Sequence, residues 1–243
     1  MSRIDVLGVS FDDLTMDEAV EIALGFMQER RACYACTPNP EIVMAAKGDA
    51  ALRAALSGAE LVLADGVGIT KAAAMLGTPL KSRVPGIDFA SNVISRLAER
   101  GGSVYLLGAK PLVAEAAAEK LTQTYPGIVI AGTNDGYFTD DAPVIEKINA
   151  ASPDFLMVCL GSPKQELWMS ANAGRLSCGL MAGLGGSLDV LAGNVQRAPE
   201  TWRRLGLEWL YRVIKEPKRL GRVMKLPAFV LEAAAEGRRR RHG

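Results

Sequence analysis

The stretch that most narrows the fold is Phe155-Leu156-Met157-Val158-Cys159, an apolar run too short for a helix and fenced by Pro153 and Gly161. A polar turn, Ser162-Pro163-Lys164, follows it, and Gln165-Glu166-Leu167-Trp168 then opens a helical pattern. An uninterrupted apolar run suits a strand covered on both faces, and a strand feeding a helix is half of a βα unit. Where such strands end, the first N–H groups of each helix point outward without partners, so ligands collect there. Ser162 to Gln165 is therefore expected on the rim of a binding crevice.

The same pattern recurs along the chain. Strands are expected at Val6–Ser10, Ala32–Cys36, Leu61–Ala64, Ser103–Leu107, Ile128–Ala131 and Gly179–Ala182. Helices are expected at Thr15–Glu29, Glu41–Leu56, Ile69–Leu76, Asp88–Arg100, Leu112–Tyr125, Ala142–Ala150 and Gln165–Ala173. Thr15 with Glu18 three residues on is a capping-box pattern, and Ser187 is placed to cap a helix carrying Asp189. This alternation predicts an α/β protein with a Rossmann-like, mostly parallel, doubly wound sheet. From Pro199 the pattern changes to helix without strand, with Trp202, Leu205, Trp209, Leu210 and Val213 interleaved with basic residues. Residues 1–196 thus read as the α/β body and residues 197–243 as a basic helical appendage.

Charge supports that division. The net charge is +1, but residues 197–243 hold 13 Lys and Arg against 5 Asp and Glu, so an appendage of +8 is joined to a body of −7. Trp and Leu on one side and Arg on the other suit a helix lying on an anionic membrane surface. A nucleic-acid arm is disfavoured, because stacking platforms and a recognised nucleic-acid motif are missing. No apolar run approaches the ~20 residues that span a bilayer, and no signal peptide is evident, so a cytoplasmic protein touching the membrane from inside is expected. Cys33, Cys36, Cys159 and Cys178 lie in or beside apolar runs and read as buried, reduced thiols.

The single histidine, His242, is next to last, which removes imidazole catalysis and His-ligated metal sites. No nucleophile elbow or Walker motif occurs, and Gly183-Leu184-Gly185-Gly186-Ser187-Leu188 has Leu where a dinucleotide fingerprint needs its third glycine. Asp65, at the end of a strand and followed by Gly66, can act as a general base on a hydroxyl or can cap the next helix. Arg83, beside Pro85 and Gly86, can grip a diphosphate or form a surface ion pair. Thr37 and Asn39 can hydrogen-bond a sugar or hold a turn bracketed by Pro38 and Pro40, and Gln165 can read a ligand or simply sit in the first turn of its helix. Asp12-Asp13 reads as a solvated loop.

Several runs, in order, carry a family resemblance: Thr37-Pro38-Asn39-Pro40-Glu41, Leu63-Ala64-Asp65-Gly66-Val67-Gly68, Arg83-Val84-Pro85-Gly86-Ile87-Asp88, Gly136-Tyr137-Phe138, Leu160-Gly161-Ser162-Pro163-Lys164-Gln165-Glu166, Gly185-Gly186-Ser187-Leu188-Asp189 and Arg197-Ala198-Pro199. With them the chain resembles the WecG/TagA/CpsF family of bacterial glycosyltransferases. The resemblance implies a GT-E type fold and an inverting transferase without metal or other cofactor. Its donor would be a UDP-sugar, often N-acetylmannosamine, and its acceptor a lipid-diphosphate-linked sugar at the inner face of the membrane. It places the base on Asp65 and substrate contacts on Thr37, Asn39, Arg83, Gln165, Arg212, Arg219 and Arg222. Gly108, Tyr137, Gly186 and Asp189 would hold the uridine diphosphate. A homo-oligomer is compatible with the sequence but not specified by it. A non-catalytic nucleotide-sugar binding module and an NAD-type oxidoreductase are the competing readings.

Overall fold

The computed structural model describes residues 2–30, 33–215, 221 and 225–242, with the side chains of Arg212 and His242 outside it. The chain opens with a hairpin, β1 (Arg3–Val6) paired antiparallel to β2 (Val9–Asp12), where one strand over Val6–Ser10 was expected. The apolar alternation of Val6, Val9 and Phe11 conceals a turn at Leu7 and Gly8, with φ of 55° and 90°, and Gly8 N–H donates to Asp5 Oδ2 at 3.0 Å. Helix α1 (Met16–Glu29) begins at the expected box: Glu18 N–H donates to Thr15 Oγ1 and Thr15 N–H to Glu18 Oε2.

After β3 (Cys33–Cys36), the single helix expected over Glu41–Leu56 is two, α2 (Pro40–Gly48) and α3 (Ala50–Ser57). Asp49 separates them in an extended conformation and caps α3 by accepting Leu52 N–H at 2.9 Å. A short polar side chain that satisfies a helix start competes with continuation of the helix before it. There follow β4 (Leu61–Val62), α4 (Val67–Met75), α5 (Gly86–Ala98), β5 (Ser103–Gly108), α6 (Val113–Thr124), β6 (Val129–Asn134), α7 (Ala142–Ala151), β7 (Phe155–Cys159), α8 (Lys164–Asn172), β8 (Leu180–Gly183) and α9 (Ser187–Leu191). The remainder is helical: α10 (Glu200–Arg204), α11 (Glu208–Lys215) and a C-terminal helix, Lys225–His242.

Six strands form one sheet in the order β4-β3-β8-β7-β5-β6, every pair parallel. Alternation along β7 sorts the core: Phe155, Met157 and Cys159 face one layer, Leu156 and Val158 the other. Helices α1, α5, α6 and α9 cover the first face; α2, α3, α4, α7 and α8 cover the second, as a doubly wound sheet requires. The hairpin joins the second layer through Val6, Val9 and Phe11. Asp12 corrects the expectation of a solvated loop, for it is 3% exposed, accepting from Val62 N–H at 2.8 Å and from Arg3 Nε at 3.0 Å.

The C-terminal helix packs on α2 and α4, and Phe229 and Ala233 are fully buried in the second layer. Gly237 permits that approach, since a Cβ there would collide with the carbonyl of Met75. Lys47 pairs with Glu232, and Arg240 with Asp5 at 2.9 Å. Among the described residues no helix is long and apolar enough to cross a membrane.

Candidate active site

A cleft of about 560 Å³ opens at the carboxyl ends of β3, β4, β7 and β8. Thr37 and Asn39 reach it from the turn after β3, Asp65 and Gly66 from the end of β4, Arg83 from the loop before α5, Gln165 from α8, and Gly185 and Gly186 from the turn after β8. These segments are far apart in sequence, and backbone bonds lock them together. Leu63 N–H donates to Cys36 O at 2.8 Å, Asp65 N–H to Pro38 O at 3.3 Å and Val84 N–H to Ala64 O at 3.0 Å. Leu184 N–H donates to Val158 O at 2.9 Å. Crossed loops of this kind hold side chains to a fixed geometry that free loops lose.

Five of the residues predicted as base or substrate contacts line the cleft. Thr37 is buried and its hydroxyl donates to Gly183 O at 2.8 Å, tying β3 to β8. Asn39 lines the cleft and also caps α2, its Oδ1 accepting Ile42 N–H at 3.1 Å, so the turn-holding reading is realised. Asp65 does not occupy the cap position of α4; that falls to Gly66, at φ 96°, with no side-chain cap bond. Arg83, half-buried, lines the wall beside Pro85. Gln165 stands in the first turn of α8, which is one of its two readings; it is 2% exposed and lines the cleft.

The residues assigned to a nucleotide divide. Gly186 is on the cleft wall, whereas Gly108, at the end of β5, Tyr137, 71% exposed after β6, and Asp189, in α9, lie outside its lining. Ser187, expected as a cap, is instead the first residue of α9; its hydroxyl donates to Leu184 O at 2.7 Å and tightens the turn. Arg219, Arg222 and the side chain of Arg212 lie outside the described residues. Trp209 and Val213 of α11 and Lys225 and Leu226 of the C-terminal helix bring the basic end of the chain to the same cleft.

Three helices that begin on the cleft, α4, α5 and α8, start at Gly66, Pro85 and Pro163 without a side-chain cap bond. Their first N–H groups and positive dipole ends are suited to an anionic group in the cleft. Among the described residues no cluster of three or more His, Cys, Asp or Glu is arranged to hold a metal.

Two residues escaped the sequence reading. Arg197 donates from both terminal nitrogens to Asp88, at 2.6 and 2.9 Å, and fastens the start of the basic segment to α5. That bond, then the charges of Asp88, Glu208 and Asp65, raises its pKa. Glu166 is 1% exposed, and its burial pushes the carboxyl pKa up. Its position three residues before Met169, on the inner face of α8, was the available signal.

Compared with known proteins, residues 4–243 match the model of the glycosyl transferase WecG/TagA/CpsF family. The chain is 36% identical over 240 residues to the N-acetylglucosaminyldiphosphoundecaprenol N-acetyl-beta-D-mannosaminyltransferase of Staphylococcus aureus strain MW2, covering 98% of this chain and 94% of that protein. The protein of the same description from strain NCTC 8325 / PS 47 gives the same identity and coverage.

Proposed function

Because the chain belongs to the WecG/TagA/CpsF family of glycosyltransferases, we propose that it moves a hexose derivative from a UDP-sugar to a sugar carried on a polyprenyl diphosphate, in one inverting displacement without a metal. The observation that carries this reading is the convergence of Thr37, Asn39, Asp65, Arg83 and Gln165, from four separate segments, on one cleft. The described S. aureus relatives transfer N-acetylmannosamine to an N-acetylglucosaminyl diphospholipid, and that donor and acceptor are the first to test here.

Inversion by single displacement needs a base on the acceptor side and charge stabilisation on the leaving-group side. Asp65 takes the proton of the acceptor hydroxyl as oxygen attacks the anomeric carbon. The bond to UDP breaks on the opposite face, and negative charge gathers on its diphosphate. Arg83 and the uncapped starts of α4, α5 and α8 are the cationic and dipolar groups lining the cleft for that charge. Thr37, Asn39 and Gln165 hold the hexose. The nucleotide then runs from Gly186 along the strand ends toward Gly108 and Tyr137. The basic segment, with Arg212, Arg219 and Arg222, completes the site when the protein rests on the inner membrane face.

The test is release of UDP from a panel of UDP-sugars in the presence of a synthetic lipid-diphosphate sugar. Asp65→Asn should lower turnover about 10²- to 10⁴-fold, the usual contribution of a positioned general base. A variant that keeps full turnover would exclude Asp65 as base, and a wild-type protein that binds nucleotide sugar without turnover would make it a binding module. Chelator should leave the rate unchanged; restoration of lost activity by magnesium or manganese would contradict the metal-free scheme.

A further inference from the structure

Glu166 stands beside Gln165 in the first turn of α8 and is almost wholly buried, on a face that also buries Trp168 and Met169. A carboxyl group at such depth is expensive to ionise and is retained where it has a specific partner. Its Oε1 accepts from Gln165 Nε2 at 2.8 Å, while Oε2 is buried without a hydrogen bond of ordinary geometry, the Ser162 side chain being the other polar group that acts on this carboxyl. On the other side, Gln165 Oε1 accepts Gly185 N–H at 2.9 Å. A backbone N–H can only donate, so the amide oxygen must face Gly185 and the amide nitrogen must face Glu166. One Nε2 proton is engaged by Glu166, which leaves the second for a ligand in the cleft that Gln165 lines.

We infer that Glu166 is a positioning residue: through one hydrogen bond it fixes the amide of Gln165, and with it the Gly185–Gly186 turn, so that both meet the transferred sugar in a single orientation. The inference rests on the transferase reading given above. Burial favours the neutral carboxyl here, and a neutral carboxyl is matched in shape and acceptor capacity by a glutamine side chain. Glu166→Gln therefore keeps the acceptor, whereas Glu166→Met keeps the length and removes it.

The experiment compares wild type, Glu166→Gln and Glu166→Met for turnover, thermal midpoint and the side-chain amide NMR signals of Gln165. Glu166→Gln should stay near wild type in turnover. Glu166→Met should lose about 10- to 100-fold in kcat, the scale of a misplaced binding group. Its thermal midpoint shows whether the variant is folded, so that a loss of kcat is read only on folded protein. The two Nε2 proton signals of Gln165 should be well separated in wild type and Glu166→Gln and converge in Glu166→Met. Full activity in Glu166→Met, equal impairment of both variants, or unchanged Gln165 signals in Glu166→Met would each overturn the inference. A wild-type protein inert toward every donor and acceptor would instead sink the transferase reading, with the amide signals still deciding the role of Glu166.

Discussion

Glu166 should also give the fold a measurable pH dependence. Its carboxyl is raised above the ordinary 4.5 in the folded chain, so between those two values the native state holds a proton that the unfolded state has lost. Stability from this group is complete below the unfolded value and falls as pH rises through the folded one. Urea midpoints at about pH 5 and pH 8 should show Glu166→Gln gaining on wild type at the higher pH, and a constant gap would contradict this. The thiols lie at the opposite extreme of reactivity. Cys159 and Cys178 are pushed up to about 12 by burial, and Cys36 is also raised by burial. Ellman's reagent should find no reactive thiol in the native protein and all four after denaturation. That the cysteines are buried was legible from their apolar neighbours. Glu166 was not, because a charged residue beside a polar turn reads as solvated, and only its spacing of three from Met169 hinted at the inner face of α8.

At the scale of elements, start signals that act locally were readable and breaks that depend on tertiary context were not. Thr15 and Glu18 lie three residues apart and satisfy each other wherever the helix packs, so α1 was placed to within a residue. Thr15→Ala should cost about 1 kcal/mol in chemical unfolding. The break at Asp49 and the turn at Leu7-Gly8 were missed: Gly48-Asp49 and Gly8 are turn-type residues, but apolar residues resume soon after each and imitate one continuous element. The C-terminal helix shows the larger effect of packing. Phe229 is fully buried against the layer that contains α2 and α4, and Phe229→Ala should cost about 3–5 kcal/mol, several times the cap substitution. Urea unfolding of the two variants side by side checks the ratio.

For the molecule as a whole, the parallel sheet and its two helical layers followed from alternation alone, and the cleft followed from where strands end. What sequence did not provide was which strand ends meet: the order β4-β3-β8-β7 brings Asp65, Thr37, Gly186 and Gln165 to one opening and leaves Gly108 and Tyr137 farther along the edge. Apolar side chains stand in water near that opening and along the basic end, with Leu205 at 71%, Ile214 at 60% and Leu231 at 69% exposure. If the protein seats on lipid there, replacing Leu205 and Ile214 with serine should weaken cosedimentation with anionic vesicles at least about tenfold, given the stabilisation expected from burying each side chain. Unchanged cosedimentation would place the contact elsewhere. Phe229 has a further consequence during synthesis. A ribosome delivers α2 and α4 well before Phe229, so the hole that Phe229 fills, beneath helices whose first residues frame the cleft, stays empty while the intervening strands and helices are made. Chains broken off before Phe229 thus carry an unfinished layer beneath the opening where sugar transfer would take place.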